Sequence, residues 1–150
     1  MPRLLLAFLY LISAAGLAGC QSGPRPVRLG QDECAHCRMT VVKPGFAAEL
    51  VTDKGRQYIF DDLICMKGFL REHPEVASQT PTLLVADFME PAKWLPVQKA
   101  QLIRSPEFHT PMNGQVAAFS TETAAQAATR QLQQGGQMLT WNDVGHLQIR

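Results

Sequence analysis

The chain has little net charge, few cysteines, and no long apolar run beyond its first 19 residues. Its 14 Lys+Arg stand against 13 Asp+Glu over 150 residues, with no Lys/Arg cluster. A protein built to grip a nucleic-acid backbone needs clustered cations, so that class is excluded. The missing apolar run rules out a membrane span after residue 19. There is no low-complexity stretch and no long charge run. What remains is one ordinary domain, or two small units sharing a core. The four cysteines carry most of the functional information.

The first 19 residues read as an address. Arg3 supplies a short positive start, residues 4–12 are continuously apolar, and small residues lead to Leu17-Ala18-Gly19-Cys20. The apolar stretch is too short for a stable span and has signal-peptide flanks. Leu-Ala-Gly-Cys has the form of a bacterial lipobox. Its thiol is needed because a diacylglycerol is attached to sulfur before cleavage, and several acyl chains hold a protein on a bilayer where one would not. We therefore expect a lipoprotein signal peptide over 1–19, lipidation at Cys20, and a tether over 20–30 containing Pro24 and Pro26. The working domain, 31–150, then sits in the periplasm, anchored to the inner or outer membrane. Gln21 rather than Asp after Cys20 permits the outer membrane. Removing residues 1–19 takes Arg3 with it and leaves a balanced charge and three unlipidated thiols. Free thiols in an oxidising compartment need a reason.

Within the domain, residues 38–42 and 46–52 carry strand-forming residues around the turn signal Lys43-Pro44-Gly45. Asp53-Lys54-Gly55 reads as a hairpin turn into residues 56–60. Asp61 or Asp62 can cap a helix bearing Leu63, Met66, Phe69 and Leu70 at helical spacing, stopped by His73-Pro74. Residues 82–88 form a third apolar run. Residues 100–104 and 115–119 then read as strands, Thr121-Glu122 opens an Ala-rich helix ending at Gly135-Gly136, and 138–141 reads as another strand. The pattern predicts an α+β fold of two small ββαβ-like units with mostly antiparallel sheets. Met66, Met89 and Met138 are expected in the core.

Cys34-Ala35-His36-Cys37-Arg38-Met39 packs two thiols, an imidazole and a thioether into six residues. A turn can bring Cys34 and Cys37 onto one centre, and Met39 can face the same way. Three readings are open. A thiol–disulfide oxidoreductase would use Cys34 and Cys37, but its Cys-x-x-Cys normally opens a helix, where the dipole lowers the thiol pKa. A structural zinc knuckle needs four closed ligands, and only Cys65 and scattered histidines could complete it. Thiolate and thioether together favour Cu(I), which accepts two or three soft ligands. Met112, in the turn-like His109-Thr110-Pro111-Met112-Asn113-Gly114, is either a further thioether or a partly buried gap-filler. Cys65 reads first as a small core residue, with ligation or thiol pairing as alternatives. Asp61-Asp62 reads as a cap and dipole partner rather than an acid/base pair. His36, between two cysteines, is a second-choice, solvent-facing ligand.

Taken together, the lipobox, Cys34-x-x-Cys37-x-Met39, Phe46-Ala47-Ala48, Phe60-Asp61-Asp62 with Cys65-Met66, Val85-Ala86-Asp87, Trp94, Pro111-Met112, Ala117 to Phe119, and Gly135-Gly136 to Trp141 resemble the NosL family. These are the accessory lipoproteins of nitrous oxide reductase assembly. Where many members have Cys-Gly-Met, this chain has Cys37-Arg38-Met39. The resemblance implies a periplasmic Cu(I)-binding chaperone, not an enzyme, supplying the reductase's catalytic copper–sulfur centre. It implies partners in a periplasmic solenoid protein and its ABC transporter, and a fold similar to organomercurial lyase-type units. By motif, it points to Cys37, Met39 and Met112 as copper ligands, with Cys34 and His109 beside them.

Overall fold

Residues 25–147 are described by a computed structural model; the expected signal peptide over 1–19, Cys20 and residues 148–150 lie outside the described residues. The first unit begins with the hairpin β1 (Ala48–Val51) and β2 (Gln57–Phe60), paired from Ala48↔Phe60 to Val51↔Gln57. Gly55, at φ +78°, takes the left-handed turn position that a Cβ would strain. Asp62 then opens α1 (Leu63–Glu72), its carboxylate accepting the Ile64 amide. Pro74 cannot extend α1, but its fixed φ suits a first helical position, so a short α2 (Pro74–Ala77) follows immediately. The chain returns as β3 (Thr82–Ala86), antiparallel to β1, and β4 (Trp94–Pro96) adds to β3.

The second unit repeats the plan with β5 (Gln101–Arg104), β6 (Val116–Phe119), α3 (Glu122–Gln131) and β7 (Gln137–Leu139). The sheets run β2-β1-β3-β4 and β6-β5-β7, so each unit's first strand is central and every pairing is antiparallel. This is the expected α+β fold of two ββαβ units. A last short helix, α4 (Trp141–Val144), is held by a reciprocal Thr140–Asp143 capping box.

The main core lies between the units. Leu50, Phe60, Leu63, Met66 and Phe69 of the first pack with Leu102, Val116 and Ala118 of the second. A smaller core joins Ile103, Phe108, Phe119 and Ala125, with the Phe88 and Phe108 rings against Phe119 and the Phe46 ring against Phe88. A third, of Val41, Ala47 and Ile59 with Val27 and Trp94, lies apart from both.

The structure corrects several local readings. Residues 38–42 form no strand; only a single Glu33↔Thr40 bridge closes there, and residues 44–46 make a 3-10 turn. Trp141 starts a helix because Thr140 caps it, which periodicity did not reveal. Met89 and Met138 are 65% and 52% exposed and lie outside the core. Met66 is fully buried, as its place on the helical stripe required. Among the described residues, no helix is long and apolar enough to cross a membrane.

Candidate metal centre

The Cys34–Cys37 turn is locked on three sides. The Arg38 amide donates to the Cys34 carbonyl at 3.1 Å, and the Cys34 amide to the Met39 carbonyl at 2.8 Å. The Ala35 amide reaches the Ile59 carbonyl of β2 at 2.8 Å, which sets the turn against the first sheet. Arg38 adopts φ +66°, the left-handed region where glycine costs nothing. The motif's Arg-for-Gly difference therefore falls on a position whose backbone asks for glycine. The loop keeps the tight turn and accepts local strain of about 1 kcal/mol.

This turn meets the end of β2 and the first turn of α1. Donor atoms of Cys34, Cys37, Asp61 and Cys65 all lie within 4.8 Å of one another, a grouping that could hold a metal ion. Cys34, Cys65 and Asp61 are buried, while Cys37 is half-buried at the edge. The three cysteines are free thiols. Cys37 donates to Asp61 Oδ2 at 3.4 Å, and Asp61 Oδ1 is buried with no hydrogen-bond partner. An unpaired buried carboxylate oxygen is costly unless something binds it, and a cation would.

The electrostatics differ sharply within this group. The Cys65 thiol donates to Cys34 and, with backbone N–H groups of Asp61, Cys37 and His36, brings the Cys34 pKa down to about 7 against the cost of burial. Cys65 moves up strongly, because it gives that hydrogen bond to a neighbouring thiolate and is itself buried. Burial pushes Cys37 up to about 12. One proton thus leaves readily and the others stay, so a metal ion would have to displace them.

Asp62, beside Asp61, has a different task. It caps α1 and also accepts the backbone amides of Met112 at 3.1 Å and Gly114 at 3.3 Å. A Cβ on Gly114 would sit 2.6 Å from Asp62 Oδ1, so only glycine allows this approach. Burial raises the Asp62 pKa, against hydrogen bonds from Thr110, Ile64, Met112 and Gly114. The loop carrying Met112 is thereby clamped to the helix turn that carries Cys65.

The other sequence candidates fall in different places. Met39 is 49% exposed. Met112 is partly buried against the main core. His109 is exposed, its carbonyl accepting Lys43 Nζ at 2.6 Å. His36 does not face solvent: it lies over Gly68, whose added Cβ would be 2.5 Å from Nε2, and its Nδ1 is 3.2 Å from Glu72 Oε2. Sequence reasoning overlooked Asp61 as a member of the group. Two adjacent carboxylates cannot both cap one helix, and that was the available signal.

The NosL family model matches residues 26–148. The chain belongs to the NosL family. Among solved structures, it is similar to the copper chaperone NosL from Shewanella denitrificans. The two are 20% identical, the match covers 83% of this chain and 96% of that one, and the TM-score is 0.68. At that identity the likeness concerns the NosL fold. No curated protein matches the chain.

Proposed function

We propose that this NosL-family protein is a lipid-anchored periplasmic Cu(I) chaperone for the catalytic copper–sulfur centre of nitrous oxide reductase. It would act with a periplasmic solenoid protein and an ABC transporter, and it binds and passes on its cargo rather than catalysing a reaction. The observation that carries the reading is the meeting of three free thiols beside an unpartnered carboxylate oxygen. Thiolates are soft donors and select Cu(I), which needs only two or three of them. A similar fold in a protein described as a copper chaperone supports the same cargo.

The arrangement also suits handover. Cys37 is half-buried at the edge of the group, with the exposed Met39 two residues on. A partner's ligands could replace these two first and the buried Cys34 and Cys65 last, so copper need not pass through water. Acylation at Cys20 would hold the protein near membrane-bound partners and raise its effective concentration there.

One specific observation favours a second reading. Three cysteines and an aspartate are also a complete four-ligand set for Zn(II). An anaerobic titration of reduced protein with Cu(I) against a colorimetric chelator separates the two. We expect the protein to win about one equivalent of Cu(I) from the chelator. Tight Zn(II) binding with no competition for Cu(I) would sink the chaperone reading. Met112→Leu keeps the side-chain volume and removes the sulfur, so unchanged Cu(I) affinity in that variant assigns Met112 to packing.

A further inference from the structure

A cleft of about 700 Å³ opens between α1 and the chain around α4. Its apolar lining includes Ile64, Val144 and Leu147, and its cations are Lys67 and Arg71. Lys67 and Arg71 are one helical turn apart and share a face of α1. No carboxylate lines the cleft.

Nearby acids are committed elsewhere. Asp143 accepts the Thr140 amide at 2.7 Å and the Thr140 hydroxyl at 2.6 Å. Glu72, next to Arg71, pairs with His36. Lys67 has no ion pair among the described residues; its Nζ sits 3.6 Å from the centre of the Trp141 ring. Lys67 is half-buried, so the site holds a partly desolvated cation that a carboxylate would stabilise. The Trp141 ring fixes the ammonium in advance, which reduces the ordering cost of binding.

The cleft adjoins the metal centre. Ile64, in its lining, precedes Cys65, and Gly68, also in the lining, carries the His36 ring. We propose that this cleft receives an acidic segment of a partner protein, with carboxylates on Lys67 and Arg71 and an apolar side chain against Ile64 and Val144. The seated partner would lie beside the thiols, in position to exchange the cargo. Only this last point rests on the copper reading; recognition of an acidic segment stands on the cleft itself. A protein segment fits better than a lipid surface, because the cations converge on one concave apolar-lined site in a chain with net charge +1.

The test uses a fluorescein-labelled peptide, Glu-Asp-Leu-Glu-Glu-Phe, and its Gln/Asn counterpart, read by fluorescence anisotropy. The acidic peptide should saturate the protein, and the neutral peptide should bind at least tenfold more weakly. The double variant Lys67→Gln/Arg71→Gln should lose at least tenfold for the acidic peptide. Lys54→Gln/Lys99→Gln, at exposed lysines outside the cleft, should change binding by less than twofold. Circular dichroism checks folding, and Cu(I) uptake against the chelator should be the same in both double variants. Absence of peptide binding, or equal loss in the two double variants, overturns the proposal. So does Lys67- and Arg71-dependent binding to phosphatidylglycerol vesicles that exceeds binding to the peptide. Failure to take up Cu(I) alongside intact peptide binding overturns the copper reading and leaves the docking site standing.

Discussion

The two ββαβ units share a plan and differ in what they bury. Phe60 pairs with the first residue of β1, and Phe119 with the first residue of β5. After each Phe comes a two-residue link whose second member caps a ten-residue helix: Asp61-Asp62 before α1, Ser120-Thr121 before α3. Continuing the register, Cys65 and Met66 correspond to Ala124 and Ala125. α1 buries six of its residues, whereas α3 buries only Ala125. The shared architecture supplies a strand end, a cap and a helix start. The chemistry comes from two substitutions on that frame, Asp61 for Ser120 and Cys65 for Ala124, and from the N-terminal turn that brings Cys34 and Cys37 to them.

The comparison can be broken most directly at its two phenylalanines, both fully buried. Phe60→Ala and Phe119→Ala should each cost about 3–5 kcal/mol in urea unfolding, since each leaves a cavity in a packed core. A cost near 1 kcal/mol for either would mean that its ring is not packed into a close-fitting core.

A second difference concerns the sheets. Glu49, on central strand β1, is fully buried with both carboxylate oxygens lacking hydrogen-bond partners, while Leu102 holds the corresponding register position on β5. Burial raises the Glu49 pKa from 4.5 to about 7, opposed by nearby Arg25. A folded-state pKa above the unfolded value means that the native state holds the extra proton. The associated stability is present below pH 4.5 and is lost as the pH rises through about 7. Glu49→Gln should flatten that decline and leave the protein more stable at pH 8, by on the order of 2–3 kcal/mol. Thermal melts across pH 4–8 in which wild type and variant run parallel would refute this.

The caps give the smaller effects. Asp62→Ala removes a helix cap and three hydrogen bonds to the Met112 loop, from Thr110, Met112 and Gly114, and should cost about 2–3 kcal/mol. Thr121→Ala removes a cap alone, since its side chain accepts only from Ala124, and should cost about 1 kcal/mol. Equal costs would mean that the clamp on the Met112 loop adds nothing.

Most of the fold was legible in the sequence because it depends on local pattern. The stripe of Leu63, Met66 and Phe69, the caps, and the alternation of turns with short apolar runs are each readable within about ten residues. The errors fall where distant chain decides. Met89 and Met138 are apolar, but no other layer covers them. Residues 38–42 have strand composition, but their backbone is taken up by the turn holding Cys34 and Cys37. Of the candidate metal centre, the sequence displayed Cys34-x-x-Cys37, because those residues are neighbours in the chain. Locally, Asp61 reads as a cap or dipole partner of the helix, and Cys65 reads first as core packing. Nothing local distinguishes a buried thiol in an apolar helix from one aimed at two other thiols.

By itself, the sequence determined the class, the duplicated pattern and the softness of the donors. Periodicity, capping residues and sulfur chemistry are properties of short segments. The tertiary structure alone decided which donors meet. Pairing β2 with β1 and locking Ala35 onto Ile59 puts the Cys34–Cys37 turn over the start of α1. Asp61 and Cys65 arrive there from a separate stretch of chain. A metal-sized group needs several atoms within a few ångströms, and for residues some 30 positions apart only packing of the folded chain sets that distance.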